Sequence, residues 1–404
     1  MLVYKNPDFR RLPSGLAYIF NKDVDGSFFT LPSWYDVMAR YGVPKGTEIR
    51  VYSDERPAST AALAFQTATG ESGRGLLSLT NAHSLEHGVL SPTGTDLEAA
   101  LAGIFSEVLA ERPQWEWLSL AELDPRDSGY AVLVKTLRGA GLLVECSFNS
   151  GTWYEETAEL SFADYLAALP SELRNTWRRK RRKLERSGRL TASFLGDGLV
   201  LDQAIGDYQR IYAASWKPAE NFPDFVPALL RLAGELRALR LGLYYLDRVP
   251  AAVQFWILWD QRAAICKLAH DKRYDELSLG TLLTMEMFER VLTNDRPREI
   301  SFGRGDDPFK RLWLRALGHH SSQPPHIARP APRAKAASRH DLSPPARRAR
   351  FPARLTNPPA GCLVLALLFL FGSSKPVHIG SGHRGRSRLA VETSRPGAGH
   401  GSDR

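Results

Sequence analysis

One stretch of the sequence, residues 267–313, strongly limits how the chain can fold. It contains, in order, a strand end, a polar loop, an apolar helix, a second strand and a charged Gly-Asp turn. Ser278 and Gly280 stand at the start of the helix, where exposed backbone N–H groups and the helix dipole attract anions. Glycine there lets a ligand approach the backbone closely. The pair predicts an anion site, although it also fits a serine N-cap followed by a packing glycine.

The elements before this stretch predict an α/β fold with mixed sheets. Apolar residues at helical spacing mark two amphipathic helices, beginning near Leu201 and Phe225. Three strands follow, and the short turns between them predict antiparallel hairpins. In this half of the chain the strands are expected at 241–246, 251–259, 263–270 and 299–302, with a further helix at 279–292.

The first half shows a similar alternation. Helices are expected at 28–41, 96–111 and 128–139, and strands at 48–52, 58–65, 75–81, 115–120 and 142–148. The segment Val51–Phe65 resembles Tyr244–Trp256, since each has an apolar strand, a charged turn ending in proline and an Ala-rich strand. This similarity suggests an internal duplication, but two generic hairpins would look alike as well.

These patterns predict a division into four segments. Composition changes sharply after Trp313, where Pro, Arg, Ala, Ser and His replace the hydrophobic periodicity. Such a segment cannot offset its ordering entropy by burial. The predicted segments are a polar N-terminal lead-in (1–27), a first, degenerate domain (28–165), a second domain (166–318) and a disordered basic tail (319–404), the last alternatively an out-of-frame product.

The net charge of +9 on the 404-residue chain comes from the tail. Residues 319–404 contain 14 Lys or Arg and 3 Asp or Glu, which leaves −2 for residues 1–318. The body of the protein is therefore nearly neutral. Composition alone does not indicate a polyanion-binding protein.

One helix in the body is strongly basic. It is expected to begin near Ser171 and to stop at Gly188, and it carries six consecutive Lys or Arg residues, Arg178–Lys183. This run fits a solvated face beside acidic loops. It also fits a cradle for the phosphates of a cofactor, a nucleotide-linked substrate, tRNA or an anionic lipid.

Cysteine spacing and hydrophobic runs limit the remaining classes. Cys146, Cys266 and Cys362 lack metal-binding spacing, so neither a disulfide framework nor a metal site is expected. The apolar run 362–371 is too short for a transmembrane helix, which needs about 20 residues. The N-terminus lacks the apolar core of a signal peptide. We therefore expect a cytoplasmic protein with reduced thiols.

Several segments together resemble a known domain. They are IYAASW with its following Lys217, the strand pair LGLYYLDRVPAAVQFWILW, the segment AICKLAHDKRYDELSLGTLL, and FGRGDDPFKRLW. In this order they resemble the acetyltransferase domain of the GNAT superfamily, in particular its CelD-type cellulose-biosynthesis branch, which is related to Fem-type peptidyltransferases. Leu279 and Phe309 stand where that pattern commonly has proline and tyrosine.

The resemblance implies tandem GNAT-like domains, of which only the second binds acetyl-CoA as acyl donor. The donor would lie between two splayed parallel strands, with its pyrophosphate at the start of the following helix. Lys267, Leu268, Ala269 and His270 would then meet the pantetheine arm, while Ser278, Gly280 and Thr281 would hold the phosphates. Lys310 would neutralise a phosphate or pair with Asp306.

Acyl transfer requires a group that removes a proton from the acceptor and stabilisation of the thiolate leaving group. Candidate bases are His270, Asp271, Asp306 and Asp307, and Tyr274 is a candidate acid. Each also has a structural alternative, since the two aspartates at 306 and 307 fit a glycine-rich turn and His270 fits a strand end. If Asp306 is the base, Asp306→Asn should lower turnover at least about tenfold.

The preferred function is therefore acyl-CoA-dependent transfer of an acetyl group to an amine or hydroxyl of a sugar, polysaccharide precursor or small metabolite. A second hypothesis keeps the fold but takes an amino acid from aminoacyl-tRNA, with nucleic acid bound by Arg178–Lys183. A third is a non-catalytic scaffold in an envelope polysaccharide system, which the departures at Leu279 and Phe309 favour.

Overall fold

The alternating helices and strands build two mixed sheets of seven strands each within the described residues. The computed structural model describes residues 1–22, 27–70, 73–147, 150–320 and 362–367. All of these belong to one compact unit, Met1–Phe369.

The strands are β1 (Leu2–Lys5), β2 (Ile49–Asp54), β3 (Ala61–Gly70), β4 (Gly73–Ser78), β5 (Trp117–Leu123), β6 (Leu143–Ser147), β7 (Ser150–Glu156), β8 (Leu190–Phe194), β9 (Leu239–Leu246), β10 (Val249–Trp259), β11 (Arg262–His270), β12 (Glu299–Arg304), β13 (Ala316–His320) and β14 (Cys362–Leu367). The helices are α1 (Ser14–Lys22), α2 (Pro32–Tyr41), α3 (Leu97–Ala110), α4 (Ser128–Gly139), α5 (Phe162–Ala168), α6 (Ser171–Ser187), α7 (Leu201–Ala214), α8 (Phe225–Glu235), α9 (Leu279–Arg290) and α10 (Pro308–Arg311).

The two halves of the chain share one strand arrangement. In the first sheet β2, β3 and β4 pair antiparallel and β4 pairs parallel with β5. In the second sheet β9, β10 and β11 pair antiparallel and β11 pairs parallel with β12. A helix connects the parallel strands in both halves, α3 in the first and α9 in the second. The predicted mixed α/β fold class is confirmed, with one strand arrangement used in both halves.

The N-terminal segment differs from its prediction. Residues 1–27 were expected to be a polar lead-in, but β1 pairs with β2 along the edge of the first sheet. Helix α1 follows, and Phe9, Leu16, Ile19 and Phe20 are buried in the core. The apolar positions are too few and too closely spaced to give a clear period by themselves, and only their packing partners reveal them.

The boundary between the two halves also differs from its prediction. Strand β7 precedes the expected division at residues 165 and 166, yet it pairs antiparallel with β12 and with β13. It therefore belongs to the second sheet. Pairing partners of a strand depend on long-range contacts that periodicity does not report.

The tail contains one described segment beyond residue 320. Residues 362–367 form β14, which lies between β5 and β6 and pairs antiparallel with both. This corrects the expected lack of regular structure for those six residues, whose backbone groups fill the gap between two strands. The rest of the predicted tail, 321–361 and 368–404, lies outside the described residues. Among the described helices, none combines the length and hydrophobicity that a membrane span requires.

Three apolar cores hold these layers together. The largest lies between the two sheets and includes the buried faces of α2, α7 and α8. A second lies under α5, α6 and α9 on the other face of the second sheet. The third lies under α3 and α4 on the first sheet. Because the largest core takes residues from both halves, the halves are packed against each other and not merely linked.

Strands β11 and β12 separate to form a fork. They pair only over Arg262–Ala264 and Glu299–Ser301. Beyond this point β11 continues along β10 as far as His270, whereas β12 pairs with β7. The fork leaves a gap in the sheet, and helix α9 begins beside its open end.

Candidate functional site

A cavity of about 980 Å³ opens where β11, β12 and α9 meet. Its lining comes from the strands of the fork, the start of α9, the loop after α7, the start of α10 and a loop of the first half. The polar lining residues are Asn81, His83, Tyr212, Trp216, Lys217, Glu220, Asn221, Lys267, His270, Asp275, Ser278, Thr281, Arg304, Asp307 and Lys310. A volume of this size accommodates a ligand of several hundred daltons.

The start of α9 offers unsatisfied donors to this cavity. Ser278 adopts a left-handed backbone conformation (φ 55°, ψ 40°) and makes no side-chain cap. Ser278 is thus the N-cap residue of the structural alternative, but its side chain does not cap the helix. The first N–H groups of a helix have no partner within the helix, so those of Gly280 and Thr281 are available to a ligand. Both residues line the cavity.

A lysine of the basic helix approaches the same point. Lys180 Nζ donates to Ser278 Oγ at 2.9 Å and also to the Glu276 carbonyl. The positive charge therefore lies beside the N-terminus of α9, whose dipole has the same sign. Helix α6 itself begins and ends as predicted, with Gly188 in the left-handed conformation after its last turn. An anion at this site would reduce the repulsion between the Lys180 ammonium and the positive end of the α9 dipole.

The loop before α9 is shaped by Asp271. Its buried carboxylate accepts a hydrogen bond from Arg273 N at 2.9 Å and pairs with the Arg273 guanidinium at 2.6 Å. The Arg273 side chain lowers the pKa of Asp271. Asp271 was a candidate base, but it lies outside the cavity lining and is fully engaged in holding this loop.

An ion pair joins β11 to the loop after α7 in the cavity wall. Lys267 Nζ lies 2.7 Å from Glu220 Oε1, and the two side chains are only 14% and 9% exposed. Glu220 also accepts a hydrogen bond from Tyr208 Oη at 3.0 Å. Lys267 lies 4.8 Å from the Tyr212 ring as well. This carboxylate is fixed in the cavity wall by two partners.

Two further groups carry unusual pKa values. Burial, with Lys267 and Lys310 nearby, lowers the pKa of Lys217 to about 8. Burial, with the charges of Lys267, Lys217 and Arg304, lowers the pKa of His83 to about 3. Because this pKa lies well below 7, His83 is a neutral imidazole at physiological pH. Its ring stacks on that of Phe225 at 5.0 Å.

Arg304 and Lys310 complete the cationic wall. Arg304 pairs at 3.0 Å with Glu122, a buried residue of the first half. Lys310 donates to the Arg304 carbonyl and lies 3.6 Å from Asp307 Oδ2. Burial lowers the pKa of Lys310. The first half of the chain thus helps to position a cation in the cavity of the second half.

Eight of the twelve predicted site residues line the cavity. They are Lys267, Leu268, His270, Ser278, Gly280, Thr281, Asp307 and Lys310. Ala269 is fully buried in the core between the sheets, so only its backbone could face a ligand. Tyr274 lies outside the lining and packs against the core under α9.

Asp306 also lies outside the cavity lining. Its carboxylate pairs with Arg311 at 2.7 Å and accepts a hydrogen bond from Trp153 Nε1 at 2.8 Å. Hydrogen bonds from Arg311 first and Trp153 second lower its pKa. A carboxylate that lies outside the cavity and has a lowered pKa does not fit the proposed role as base.

His270 forms a dyad with Asp275. His270 Nε2 lies 2.8 Å from Asp275 Oδ1, and the ring is 4.6 Å from that of Trp216. The Nδ1 atom is buried without a hydrogen-bond partner in the described residues. An added Cβ at Gly280 would lie 3.3 Å from this atom. His270 is therefore next to the start of α9.

Sequence patterns did not single out His83, Trp216, Glu220 or Arg304 as site residues. Trp216, Lys217 and Arg304 belong to the segments that carry the family resemblance, which gives them no role. Helix α7 ends at Ala214, and the loop after it brings Trp216, Lys217 and Glu220 to the cavity. No group of three potential metal ligands occurs in the described residues.

Comparisons with known proteins find a family similarity in the second half. The family described as acetyltransferase (GNAT) domain matches residues 171–311. These residues are therefore similar to a GNAT domain. The match includes the basic helix, β11, the start of α9, β12 and α10. No curated protein sequence matches the chain.

Several solved structures are similar to this chain at low sequence identity. FemX is 8% identical with a TM-score of 0.55, over 78% of this chain and 95% of that one. L-PGS from Bacillus licheniformis is 9% identical with a TM-score of 0.47, over 76% and 90%. A tandem GNAT protein from the clavulanic acid biosynthesis pathway is 14% identical with a TM-score of 0.43, over 77% and 93%. The similarity to FemX is a similarity of fold alone.

Proposed function

We propose that this GNAT domain is an acyltransferase that takes acetyl-CoA as donor and acetylates an amine or hydroxyl of a sugar, polysaccharide precursor or small metabolite. One observation carries the proposal. A single cavity joins the fork of β11 and β12 to the uncapped start of α9, with Lys180 beside it. Free backbone N–H groups and a cation at a helix N-terminus suit a pyrophosphate.

In this proposal acetyl-CoA binds in one orientation. Its phosphates would meet Ser278, Gly280 and Thr281, and its pantetheine arm would follow β11 toward the fork. A strand rises about 3.3 Å per residue, so Lys267 lies about 10 Å from His270 along β11. The acyl group would then lie near Lys267, and His270 would lie near the phosphates.

In the described part of the first half, the corresponding helix start is already capped. Its equivalent helix, α3, is capped by Asp96, whose carboxylate accepts from Ala99 N at 3.0 Å. That carboxylate occupies the position where a phosphate would bind and would repel it. Only the second half therefore offers a donor site among the described residues, which supports the proposed single donor per chain.

Glu220 is the proposed general base. The nucleophile of the acceptor must lose a proton close to the acyl carbon, which favours a group near Lys267 over His270. Glu220 lines the cavity and is fixed by Lys267 and Tyr208. Cys266 also lines the cavity, but burial raises the pKa of its thiol to about 12. Direct transfer is therefore favoured over a covalent acyl-cysteine.

We expect Glu220→Gln to lower kcat at least about tenfold, because an amide cannot accept the proton. The affinity for acetyl-CoA should change less than about threefold, since the donor phosphates bind at α9. His270→Gln should instead weaken donor binding with a smaller effect on kcat. Asp306→Asn is the matched control, since its exposed carboxylate is 38% accessible and lies outside the cavity. An unchanged kcat in Glu220→Gln would remove it as base.

The proposal is tested directly by calorimetry of the full chain with acetyl-CoA. Binding with a single site per chain is expected. Absence of binding would contradict the donor assignment and favour a non-catalytic scaffold. The departures from the family pattern at Leu279 and Phe309 would agree with that function. Membership in the CelD-type branch is part of the same proposal, supported by the four matching segments of the sequence.

A second candidate is a Fem-like transferase that takes its amino acid from aminoacyl-tRNA. The exposed cations Arg178, Arg179, Arg182 and Lys183 favour it, because Lys180 of the same helix reaches the start of α9. RNA binding through several phosphates loses affinity steeply with salt. For the wild-type chain we expect tRNA titrations to give a slope near zero when the logarithm of the affinity is plotted against the logarithm of the salt concentration. A steep slope that falls when Arg178, Arg179, Arg182 and Lys183 are changed to Gln would favour the tRNA donor.

A further inference from the structure

Lys217 differs from the other cations of the cavity. It follows Trp216 in the loop after α7, and its ammonium lies 5.6 Å from that ring. Its backbone N–H bonds to Ser215 Oγ at 3.3 Å, which fixes the loop. Within the described ranges, its ammonium makes neither a hydrogen bond nor an ion pair.

The other cavity cations are matched by carboxylates. Lys267 pairs with Glu220 at 2.7 Å and Arg304 with Glu122 at 3.0 Å. Lys310 lies 3.6 Å from Asp307, and Asp275 is bound to His270. Within the described cavity wall, the unmatched positive charge is that of Lys217.

The surroundings of Lys217 make its positive charge energetically unfavourable. Lys217 is half-buried, with Lys267 and Lys310 as the main like charges and Glu220 and Asp307 as weaker opposite ones. A buried charge is expensive unless it is paired. His83 faces the same space as a neutral ring and contributes no compensating charge. A negatively charged ligand group would supply the missing partner.

We infer that the acceptor carries an anionic group, a carboxylate or a phosphate, and that Lys217 binds this group. The inference rests on the proposed function, because the donor phosphates are assigned to the start of α9 and the acyl group to the neighbourhood of Lys267. Lys217 then lies on the acceptor side of the cavity, beside the proposed base Glu220. An anchored anion would hold the acceptor nucleophile near the acyl carbon.

The test uses inorganic phosphate and acetate as probes, titrated by calorimetry into the full chain carrying Gly280→Asp. That substitution closes the start of α9 to anions, so binding reports the remaining cavity. Adding Lys217→Met should weaken probe binding about tenfold or more, because a charge-assisted hydrogen bond is lost. Lys217→Arg should keep affinity within about threefold, because it retains the charge. Lys5→Met, which removes an exposed lysine of β1, should have no effect.

The pH dependence provides a second readout. Lys217 is charged below its pKa of about 8 and loses its proton above it. Acetate keeps its charge over this range, so its affinity should fall as the pH rises from 7 to about 9.5. The decline should be absent in Lys217→Met. Tighter binding of phosphate than of acetate would indicate a phosphorylated acceptor, and the reverse would indicate a carboxylate.

Two outcomes separate this inference from the proposed function. Equal probe affinity with and without Lys217→Met would overturn the anion site even if acetyl-CoA binds. Probe binding that depends on Lys217, together with no binding of acetyl-CoA to the wild-type chain, would support the anion site and overturn the donor. Lys217→Met alone should leave acetyl-CoA affinity within about threefold; a larger loss would assign Lys217 to the donor instead.

Discussion

Gly280→Asp is expected to lower the affinity for acetyl-CoA at least about a hundredfold. The new carboxylate would stand at the second residue of α9, beside the N–H groups proposed to hold the pyrophosphate. Two like charges about 4 Å apart repel by about 4 kcal/mol at the screening typical of a protein surface. Since about 1.4 kcal/mol corresponds to a tenfold change, even half of this repulsion would be measurable by calorimetry.

Two controls separate charge from shape. Gly280→Ala adds a Cβ 3.3 Å from His270 Nδ1 and 3.5 Å from Leu268 Cδ2, a tight contact that small side-chain shifts can relieve. It should retain most of the affinity. Gly206→Asp adds the same charge to α7, where an added Cβ meets nothing within 4 Å. If Gly280→Asp bound acetyl-CoA as tightly as Gly280→Ala, the phosphate site would not be at α9.

Phe288→Ala is expected to destabilise the chain by about 3–5 kcal/mol. Phe288 is fully buried in the core under α9. Its ring stacks on Tyr165 at 4.6 Å and on Trp313 at 5.7 Å, and it meets the edge of Trp256 at 4.9 Å. Truncation would leave a cavity among three aromatic rings that cannot all move to fill it.

Urea unfolding followed by circular dichroism would measure this loss. Total stabilities of domains are about 5–15 kcal/mol, so a large shift of the midpoint is expected. Tyr18→Ala removes an aromatic ring that is 51% exposed, and it should change stability by less than about 1 kcal/mol. A change of similar size in both variants would contradict the assignment of Phe288 to a rigid core beneath the donor helix.

Among the candidate site residues, those at the start of α9 depend least on side-chain direction. Ser278, Gly280 and Thr281 were predicted because a helix start is visible in the local pattern, and they line the cavity, while their role toward a phosphate stays a prediction. Asp306 was misplaced because a Gly-Asp turn does not reveal which way its carboxylate points. The carboxylate of Asp306 binds Arg311 and Trp153 outside the cavity. Trp153 lies in β7, and 153 sequence positions separate it from Asp306.

The sequence by itself determined most helices and strands, because hydrophobic periodicity and stop signals such as Gly188 act over a few residues. It also located the start of α9 and the basic helix before it. Tertiary structure alone decided that β7 joins the second sheet, that His83 of the first half lines the cavity and that Glu122 pairs with Arg304 in its wall. It also decided that Glu220 meets Lys267, 47 positions away. Such contacts depend on how the layers pack, and local periodicity identifies a buried face without identifying the partner that covers it.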